Sequence, residues 1–567
     1  AQLGTAPLLV RTLNGFSSLI RNGLTSCEGG FGSASACSGG AAKLQDSADG
    51  GFGWRAAGSD GVGVARELSL LLTAGRLSEA NVELVGEAFE AAGGGHAGRV
   101  AAQELLTLTP EFASVTANTL TSERPDRVEQ VTSGKPYKAT VFIFLSGGAD
   151  SYSVIVPISH CHSRDLYAEY EMLRTDVTIP KQRLLPINVS ASSLRQPCEI
   201  FGVHERFPFL KQMWDDGDAA VLANVGPMVE PLVDKYDYLR NRVQRPFSLF
   251  AHNAQQQSTQ TVHAQERDAS GVLGRMLATL QAQFKTAAYS VAGNAMVLEA
   301  MGTEPTIING NGAADLEQYD HFETYRGEID QMTKRRSAGV FADTHAQLLK
   351  SSLEGIERFS KNLRNGQLNN QFPNTQLGRQ LAQVARVIKS RREIGAERDG
   401  FFCQIGGFDS HGDFFRTISM KFTEINGAVE AFQAEMKAQG IWDNVAVVQA
   451  SEFGRTMVSN GRGSDHSWGG MHWIAGGRIN GGRFFGNYPE SLLPDSDLML
   501  SRGRIVATTA WEALWYALAQ WMGVEEAQMH HVLPNLKYFG PEDLWTADML
   551  FVPEPSPSPP PPPPPPP

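Results

Sequence analysis

Acidic residues and histidines follow several short apolar runs of this sequence, at the points where the runs end. The runs VFIFL, FFCQI and VAVVQA lead into GGADS, GFDSH and SEFGRT, and a further motif, GSDHSWGG, comes later in the chain. Carboxylates and imidazoles bind divalent metal ions, and Zn, Mn, Mg and Ca each accept part of this set. The motifs therefore predict a present or ancestral divalent metal site. The candidate ligands are Asp150, Asp409, His411, Glu452, Asp465 and His466.

Each motif also has a purely structural interpretation. A pair such as Asp409 and His411 often stabilises a turn through local hydrogen bonds. Glu452 and Arg455 are close enough in sequence to form an ion pair with each other. The recurrence of such motifs after successive apolar runs favours the metal site, because a single domain brings them all together.

The elements that position these residues are predicted to form a parallel α/β sheet. Four apolar runs, ATVFIFL, AAVLANV, GFFCQI and NVAVVQA, are long enough for strands buried on both faces. They alternate with helical patterns over 346–363, 377–392, 414–439 and 508–522. This alternation indicates an α/β fold in which a mostly parallel sheet lies between helices. Ligands bind such sheets beyond the carboxyl ends of the strands, where the motifs lie.

In this order, and followed by ALAQWMGV and VLPNL, the motifs resemble domain-of-unknown-function family 1501 of the alkaline phosphatase and sulfatase superfamily. The resemblance implies an alkaline-phosphatase-like fold in which Asp150 binds one metal ion, while Asp409 and His411 bind a second. It also implies that His466 is a late histidine ligand. Arg455 would bind the substrate oxyanion through a bidentate contact.

Several residues depart from the superfamily pattern. Its chemistry requires a Ser, Thr or Cys nucleophile at a helix start after the second strand, whereas LFAHNAQQQ has Ala251 at that position. Ser248 or an activated water would have to substitute, and His252 is a candidate for polar lining. Glu452 and Phe453 stand where the superfamily usually has an Asp-His pair. The comparison with the superfamily therefore predicts an eroded active site.

Cysteines and one glycosylation sequon point to an oxidising compartment. Cys27 and Cys37 bracket one irregular stretch, and Cys161 and Cys198 bracket another. We predict two local disulfides, although reduced thiols are an alternative that the sequence leaves open. The sequon at Asn188 lies inside the second predicted loop and fits a secreted glycoprotein. Together these features predict an extracellular protein.

The end of the chain, VPEPSPSPPPPPPPPP, is so rich in proline that it can form only polyproline II. Its Ser-Pro pairs and proline block resemble the hydroxyproline-rich, O-glycosylated matrix glycoproteins of plants and green algae. The tail is therefore predicted to contact glycans or neighbouring subunits in a homo-oligomer or filament, with a passive spacer as the alternative. The candidate hydroxylation and O-glycosylation sites are Pro555, Ser556, Pro557, Ser558, Pro559, Pro560 and Pro561.

The region before the α/β domain has a different pattern. Helical periodicity from Val64 to about Pro110, including LLTAGRLS, resembles the carboxyl-terminal helices of domain-of-unknown-function family 1800. Because that family is often fused to the 1501 family, the chain is predicted to start at a cleavage point in a longer precursor. The predicted segments are an irregular disulfide-tied segment (1–55), a helical segment (56–120), a linker (121–138), the α/β domain (139–550) and the polyproline tail (551–567).

Charge and hydropathy limit the partners and leave two function classes. The formal net charge of −12 provides no general attraction to nucleic acid or anionic lipid, and no apolar run is long enough to span a membrane. The main prediction is an extracellular structural or assembly glycoprotein, a filament or wall subunit, built on a domain with an eroded active site. The alternative is a secreted metal-dependent hydrolase of phosphate or sulfate esters.

Overall fold

A computed structural model of the chain describes residues 6–22, 54–115, 118–125, 132–192, 194–303, 305–308, 324–363 and 367–553. These residues fall into two compact units. The first comprises residues 1–129 and 312–365, and the second comprises residues 130–311 and 366–567.

The helices and strands of the described residues are as follows. The α-helices are α1 (Ala6–Asn22), α2 (Gly61–Thr73), α3 (Glu79–Ala91), α4 (Gly95–Thr107), α5 (Pro110–Ala113), α6 (Leu166–Arg174), α7 (Pro208–Asp215), α8 (Lys235–Leu239), α9 (His252–Thr261), α10 (Val272–Leu280), α11 (Arg326–Thr333), α12 (Val340–Leu363), α13 (Gln376–Lys389), α14 (Arg391–Ile394), α15 (Phe414–Ala438), α16 (Trp511–Met522), α17 (Met529–Val532) and α18 (Ala547–Leu550). The strands are β1 (Leu120–Glu123), β2 (Lys138–Leu145), β3 (Ile155–Cys161), β4 (Leu184–Asn188), β5 (Cys198–His204), β6 (Ala219–Gly226), β7 (Thr286–Ser290), β8 (Thr306–Ile307), β9 (Arg335–Ser337), β10 (Arg398–Ile405), β11 (Val445–Ser451), β12 (Arg455–Ser459), β13 (Ser464–His466), β14 (Gly470–Ala475), β15 (Phe484–Phe485), β16 (Met499–Leu500), β17 (Arg504–Ile505) and β18 (Thr509–Ala510).

The first unit is a bundle of helices and differs from the predicted segments in three places. Residues 6–22 form α1 rather than irregular structure, because Leu9 and Leu13 are one helical turn apart and are both buried in the core of the unit. Helix α12 also belongs to this unit, since Leu349 and Leu353 are buried in the same core, whereas the sequence pattern predicts it within the α/β domain. Strand β1 lies in the predicted linker and pairs with β9.

The second unit confirms the predicted α/β fold class. Its main sheet has the strand order β15-β6-β14-β11-β2-β10-β7-β8, and β18 also pairs with β6. All pairs in this sheet are parallel except those that β14 makes with β11 and β6. Strand β2 is central, with Val141 opposite Phe401 of β10 and Val447 of β11. The four apolar runs that predicted strands form β2, β6, β10 and β11.

Helices cover the main sheet because its strands carry large apolar side chains on both faces. On one face, Phe142 and Phe402 stack with ring centroids 6.3 Å apart, and Trp515 of α16 packs against Phe142 at 5.7 Å. Helix α10 contributes to the same core. Helices α13 and α15 pack against each other, and α13 contacts β10. The tight packing fixes the carboxyl ends of β2, β10 and β11 relative to one another.

A smaller sheet carries one of the two predicted disulfides. Strands β3 and β4 both pair antiparallel with β5, and a disulfide between Cys161 and Cys198 joins β3 to β5, as predicted. Asn188 is exposed at the end of β4, and its Oδ1 accepts hydrogen bonds from the N–H and the hydroxyl of Ser190. Cys27, Cys37 and the proline tail from 554 onward lie outside the described residues. In the described part of the chain, no helix combines the length and apolar character needed to cross a membrane.

Candidate metal centre

Three segments bring histidines and a carboxylate together beyond the carboxyl ends of the central strands. The segment after β10 provides Asp409 and His411. Strand β13, which pairs with β12, provides His466. The first residue of α9 provides His252. The sheet therefore places its polar residues at the edge where ligands bind in α/β proteins.

The ring nitrogens of these histidines converge on a single carboxylate oxygen. Nε2 of His252 lies 3.5 Å from Oδ1 of Asp409, and Nε2 of His466 lies 3.6 Å from the same oxygen. One ligand atom from each of His252, Asp409 and His466 lies within 4.8 Å of the others. These three residues form the core of the cluster.

A hydrogen bond fixes the tautomer of each core histidine. Nδ1 of His252 donates to Oε1 of Glu452 at 2.9 Å, and Nδ1 of His466 donates to the carbonyl of Phe250 at 2.8 Å. Carboxylate and carbonyl oxygens only accept hydrogen bonds, so the proton of each neutral ring stays on Nδ1. Nε2 therefore presents a lone pair to the cluster, as in histidines that bind metal ions.

His411 stands at the solvent-facing rim of the cluster. Its Nδ1 donates to Oδ1 of Asp465 at 3.2 Å, and its Nε2 lies 3.0 Å from Oδ1 of Asp409. The same Nε2 lies 3.1 Å from Nε2 of His466. Two nitrogen lone pairs at this distance repel each other, so the contact requires a proton or a cation between the rings. The side chain of His411 is 46% exposed.

Burial and hydrogen bonds shift the pKa values of the cluster residues in opposite directions. The hydrogen bond to Glu452 raises the pKa of His252, against the effect of burial. Burial lowers the pKa of His466. Burial alone would raise the pKa of Glu452, but hydrogen bonds from His252 and Gln256 outweigh it and the pKa is lowered. The cluster thus pairs an ionised Glu452 with His252 and keeps His466 in its neutral, ligand-ready form.

The carboxylate at the centre of the cluster is kept ionised. Burial would raise the pKa of Asp409, but the hydrogen bond and positive charge of Arg455 outweigh it, and the pKa lies below its usual value. The side chain of Asp409 is 49% exposed, so solvent reaches it. An ionised carboxylate that faces neutral imidazole nitrogens provides the charge that a divalent cation requires.

One ring nitrogen of the cluster supports the fit of these residues to a metal ion. Nε2 of His252 is buried and has no hydrogen-bond partner among the described residues, although Asp409 lies 3.5 Å away. A buried ring nitrogen without a partner costs free energy unless a ligand binds it. Two imidazoles and one carboxylate with a solvent-accessible side match the three-ligand pattern of catalytic zinc sites. Mg²⁺ and Ca²⁺ prefer ligand sets made of oxygen alone.

The structure gives Glu452 and Arg455, predicted as a metal ligand and a substrate-binding arginine, hydrogen-bond partners within the protein. Glu452 is buried and accepts hydrogen bonds from the N–H of Gly147 at 2.8 Å and from His252, so it orients that ring. Arg455 is buried, donates to the carbonyls of Gly148 and Ser464 and pairs with Asp409 rather than with Glu452. The guanidinium therefore positions the Asp409 carboxylate and is not available to substrate.

Asp150 lies outside the cluster, in a buried ion pair. Its Oδ2 accepts hydrogen bonds from Nη2 of Arg174 at 2.9 Å and from the Ser464 hydroxyl at 2.7 Å. Its Oδ1 accepts from the Ser153 hydroxyl at 3.0 Å. The side chains of Asp150 and Arg174 are both 0% exposed. The prediction of Asp150 as a metal ligand is therefore not supported, because its oxygens are already occupied.

The remaining predicted residues surround the cluster. Asp465 accepts hydrogen bonds from His411 and from Asn460 at 3.0 Å, and so orients the histidine at the rim. Ala251 is the N-cap of α9 and directly precedes His252. Ser248 is exposed in left-handed backbone with φ 47°, and in the described part of the chain its hydroxyl contacts none of the cluster side chains.

His252 is a candidate ligand that the sequence analysis does not assign. The sequence predicts it only as polar lining, because it follows the position where the superfamily has its nucleophile. The available signal was its place at the first residue of a helix that follows LFA, since helix starts face the ligand edge of an α/β sheet. Only the fold shows that its ring reaches Asp409, which is far away in sequence.

Replacing Glu452 with glutamine should weaken zinc binding at pH 8 by about 10-fold, because the hydrogen bond that orients the His252 ring loses its charged acceptor. The carboxylate also raises the pKa of His252. Proton competition with zinc should therefore begin at lower pH in the variant. Competition titrations with a chromophoric chelator from pH 6 to pH 8 measure both effects. Glu512→Gln is the control, because that buried carboxyl contacts Asn535 instead of the cluster; equal affinities of Glu452→Gln and wild type would contradict the assigned role.

Comparisons with known proteins extend the sequence resemblance. Three solved structures are similar to this chain. One is described as Ps i-CgsB, with 9% identity and a TM-score of 0.31 over 71% of this chain and 77% of that chain. The lipoteichoic acid synthase LtaP from Listeria monocytogenes has 8% identity and a TM-score of 0.28 over 72% of this chain and 76% of that chain, and the PsFucS1 sulfatase from Pseudoalteromonas sp. has 8% identity and a TM-score of 0.30 over 70% and 69%. At these TM-scores the similarities carry no argument about activity. No curated protein matches the chain. The family described as protein of unknown function (DUF1501) matches residues 137–495, more than half of the chain, and the chain therefore belongs to the DUF1501 family.

Proposed function

We propose that the α/β domain is a metal-dependent hydrolase of phosphate or sulfate esters, with zinc held by His252, Asp409 and His466. The observation that carries the proposal is the convergence of two oriented Nε2 atoms on one ionised carboxylate, with Nε2 of His252 left without a partner. Zinc is preferred because the donor set mixes imidazole nitrogen with a carboxylate oxygen.

The residues around the cluster support a hydrolase in which water is the nucleophile. A bound divalent cation supplies Lewis-acid chemistry, lowering the pKa of water and neutralising charge on an ester. Ala251 has no nucleophilic group, so the domain forms no covalent intermediate at that position. His411 is the acid–base group: its Nε2 gives a proton to the leaving-group oxygen of the ester and regains one from the attacking water, while the Asp465 carboxylate at Nδ1 orients the ring.

The substrate class rests on the resemblance of the motifs to the alkaline phosphatase and sulfatase superfamily. The disulfide between Cys161 and Cys198 supports an oxidising compartment, which agrees with a secreted enzyme. The exposed sequon at Asn188 is accessible to glycosylation in such a compartment. An extracellular hydrolase with one metal centre is therefore the function that this chain supports best.

The test combines metal analysis with hydrolysis assays of the full chain. We expect about one zinc per chain after dialysis against zinc-containing buffer, and hydrolysis of 4-nitrophenyl phosphate or 4-nitrophenyl sulfate. His411→Ala should keep the zinc but lose about 100- to 10,000-fold in kcat, because it removes an acid–base group. His531→Ala, an exposed histidine on α17, is the matched control. Absence of zinc, or equal rates for His411→Ala and wild type, would overturn the proposal.

A second candidate function is the structural or assembly protein predicted from the tail. The described observation in its favour is Ala251, which leaves the usual nucleophile position without a reactive group. The tail itself, with its predicted subunit and glycan contacts, lies outside the described residues. Filaments of the native protein in negative-stain electron microscopy, formed by material that neither holds zinc nor hydrolyses either ester, would favour this candidate over the hydrolase.

A further inference from the structure

A second arginine lies beside the cluster, on a short hairpin. Strands β16 and β17 pair antiparallel, with Leu500 opposite Arg504. Nε of Arg504 donates to the carbonyl of His466 at 3.1 Å, and its guanidinium carbon lies 4.3 Å from the centroid of the Phe250 ring. Phe250 is also the residue whose carbonyl fixes His466. Arg504 thus contacts His466, a residue of the candidate metal centre, and Phe250, which orients it.

The hairpin that carries Arg504 is held rigidly against the cluster. The N–H of Ile505 donates to the Ser467 hydroxyl at 2.9 Å, and the carbonyl of Ile505 accepts from the N–H of Gly469 at 3.0 Å. At the turn, Gly503 has φ 75°, and a Cβ on it would lie 2.5 Å from the backbone nitrogen of Val458. Only glycine permits this close approach. These contacts fix the backbone of the hairpin, and the side chain of Arg504 is oriented by its bond to His466 and its contact with Phe250.

The two terminal nitrogens of Arg504 are free to bind a ligand. Among the described residues, none accepts a hydrogen bond from Nη1 or Nη2 of Arg504. The nitrogens of Arg455, by contrast, donate to carbonyls and to Asp409. The nearby Asp465 carboxylate already accepts from His411 and Asn460. A planar guanidinium whose Nη1–Nη2 edge is free matches two oxygens of a tetrahedral oxyanion.

We propose that Arg504 binds a charged, non-bridging oxygen of the substrate ester and selects anionic esters over neutral ones. The proposal rests on the proposed function, because the anion it holds lies next to the zinc site. Arg504 takes the role that the resemblance to the superfamily implies for Arg455. Arg502, exposed at the turn of the same hairpin with φ 65°, adds positive charge to the approach.

The test measures anion binding directly, so that it does not depend on turnover. Inorganic phosphate and inorganic sulfate are titrated by calorimetry into wild type, Arg504→Gln, Arg504→Lys and Arg240→Gln, each with zinc and after treatment with EDTA. Arg240→Gln is the matched control, since Arg240 is an exposed arginine over the Tyr236 ring, with its guanidinium carbon 5.0 Å from the centroid. We expect Arg504→Gln to bind the anions about tenfold more weakly or worse, Arg504→Lys to retain part of the affinity, and Arg240→Gln to match wild type.

The two proposals fail in different ways. Equal anion affinity of Arg504→Gln and wild type, in proteins that hold the same zinc, would overturn the role of Arg504 and leave the metal centre intact. Wild type that binds neither anion would also overturn it. Wild type that holds no zinc would overturn the proposed function, yet the comparison after EDTA treatment would still decide the role of Arg504. If wild type binds one of the two anions more tightly than the other, the result supports the proposal. It also indicates whether the substrate is a phosphate ester or a sulfate ester.

Discussion

Replacing His252 with alanine should weaken zinc binding by at least about a hundredfold while the domain stays folded. The ring supplies one of three ligand atoms that lie within 4.8 Å of one another. Its side chain is 29% exposed, and Glu452 keeps hydrogen bonds from Gly147 and Gln256 after the ring is removed. The loss should therefore appear in metal affinity and not in stability. Competition titration with a chromophoric chelator gives the affinity, and thermal unfolding without zinc checks the fold.

The control for this prediction is His531→Ala, which removes an exposed imidazole from α17. It should bind zinc as tightly as wild type. His466→Ala should behave like His252→Ala, because both rings present an Nε2 lone pair to the same carboxylate oxygen. If His252→Ala binds zinc as tightly as wild type, the zinc binds elsewhere. This outcome would contradict the proposed metal centre.

The sheet and its ligand edge could be predicted because the signal is local. Runs such as VFIFL and VAVVQA are too short for helices, lack charge and are followed by glycine, and these properties alone specify strands buried on both faces. Four such runs form β2, β6, β10 and β11. The position of Asp409 and His411 beyond β10 follows from the same pattern, since side chains after parallel strands gather at one edge.

The partners of each side chain could not be predicted, because residues distant in sequence decide them. Asp150 and Asp409 stand in similar motifs after neighbouring strands. Arg174 from α6 takes the first as an ion-pair partner, whereas Arg455 holds the second toward the histidines. His252 reaches the cluster because α9 begins there. Whether a carboxylate binds metal or an arginine depends on packing between elements, which no local pattern records.

Helix α12 illustrates the same limit at the level of domains. Its periodicity is correctly helical, but the pattern does not say which core the apolar face enters. The structure buries Leu349 and Leu353 in one core with α1 to α4, which precede α12 in the chain by more than two hundred residues. The α/β domain is therefore interrupted by a segment that returns to the helical unit.

Breaking the buried pair of Asp150 and Arg174 should destabilise the protein by about 3–5 kcal/mol, the largest stability effect we expect. Arg174→Met leaves the Asp150 carboxylate buried with only the Ser153 and Ser464 hydroxyls as partners. It also removes the hydrogen bond from Arg174 to the Thr456 carbonyl, which joins α6 to β12. Urea denaturation of the full chain, followed by circular dichroism, measures the loss. Lys211→Met, which breaks an exposed pair with Asp215 on α7, should cost less than about 1 kcal/mol.

The same pair separates a structural from a metal-binding role for Asp150. If Asp150 were a ligand, Asp150→Asn would lose zinc as His252→Ala does. The structure instead predicts that Asp150→Asn unfolds at lower urea concentration but holds zinc with wild-type stoichiometry in the folded protein. The double variant Asp150→Asn/Arg174→Met should lose less unfolding free energy than the two single variants lose together. In the double variant neither charge remains buried alone. A folded Asp150→Asn protein without zinc would restore the two-metal arrangement that the sequence resemblance implied, whereas retained zinc with reduced stability leaves His252, Asp409 and His466 as the centre.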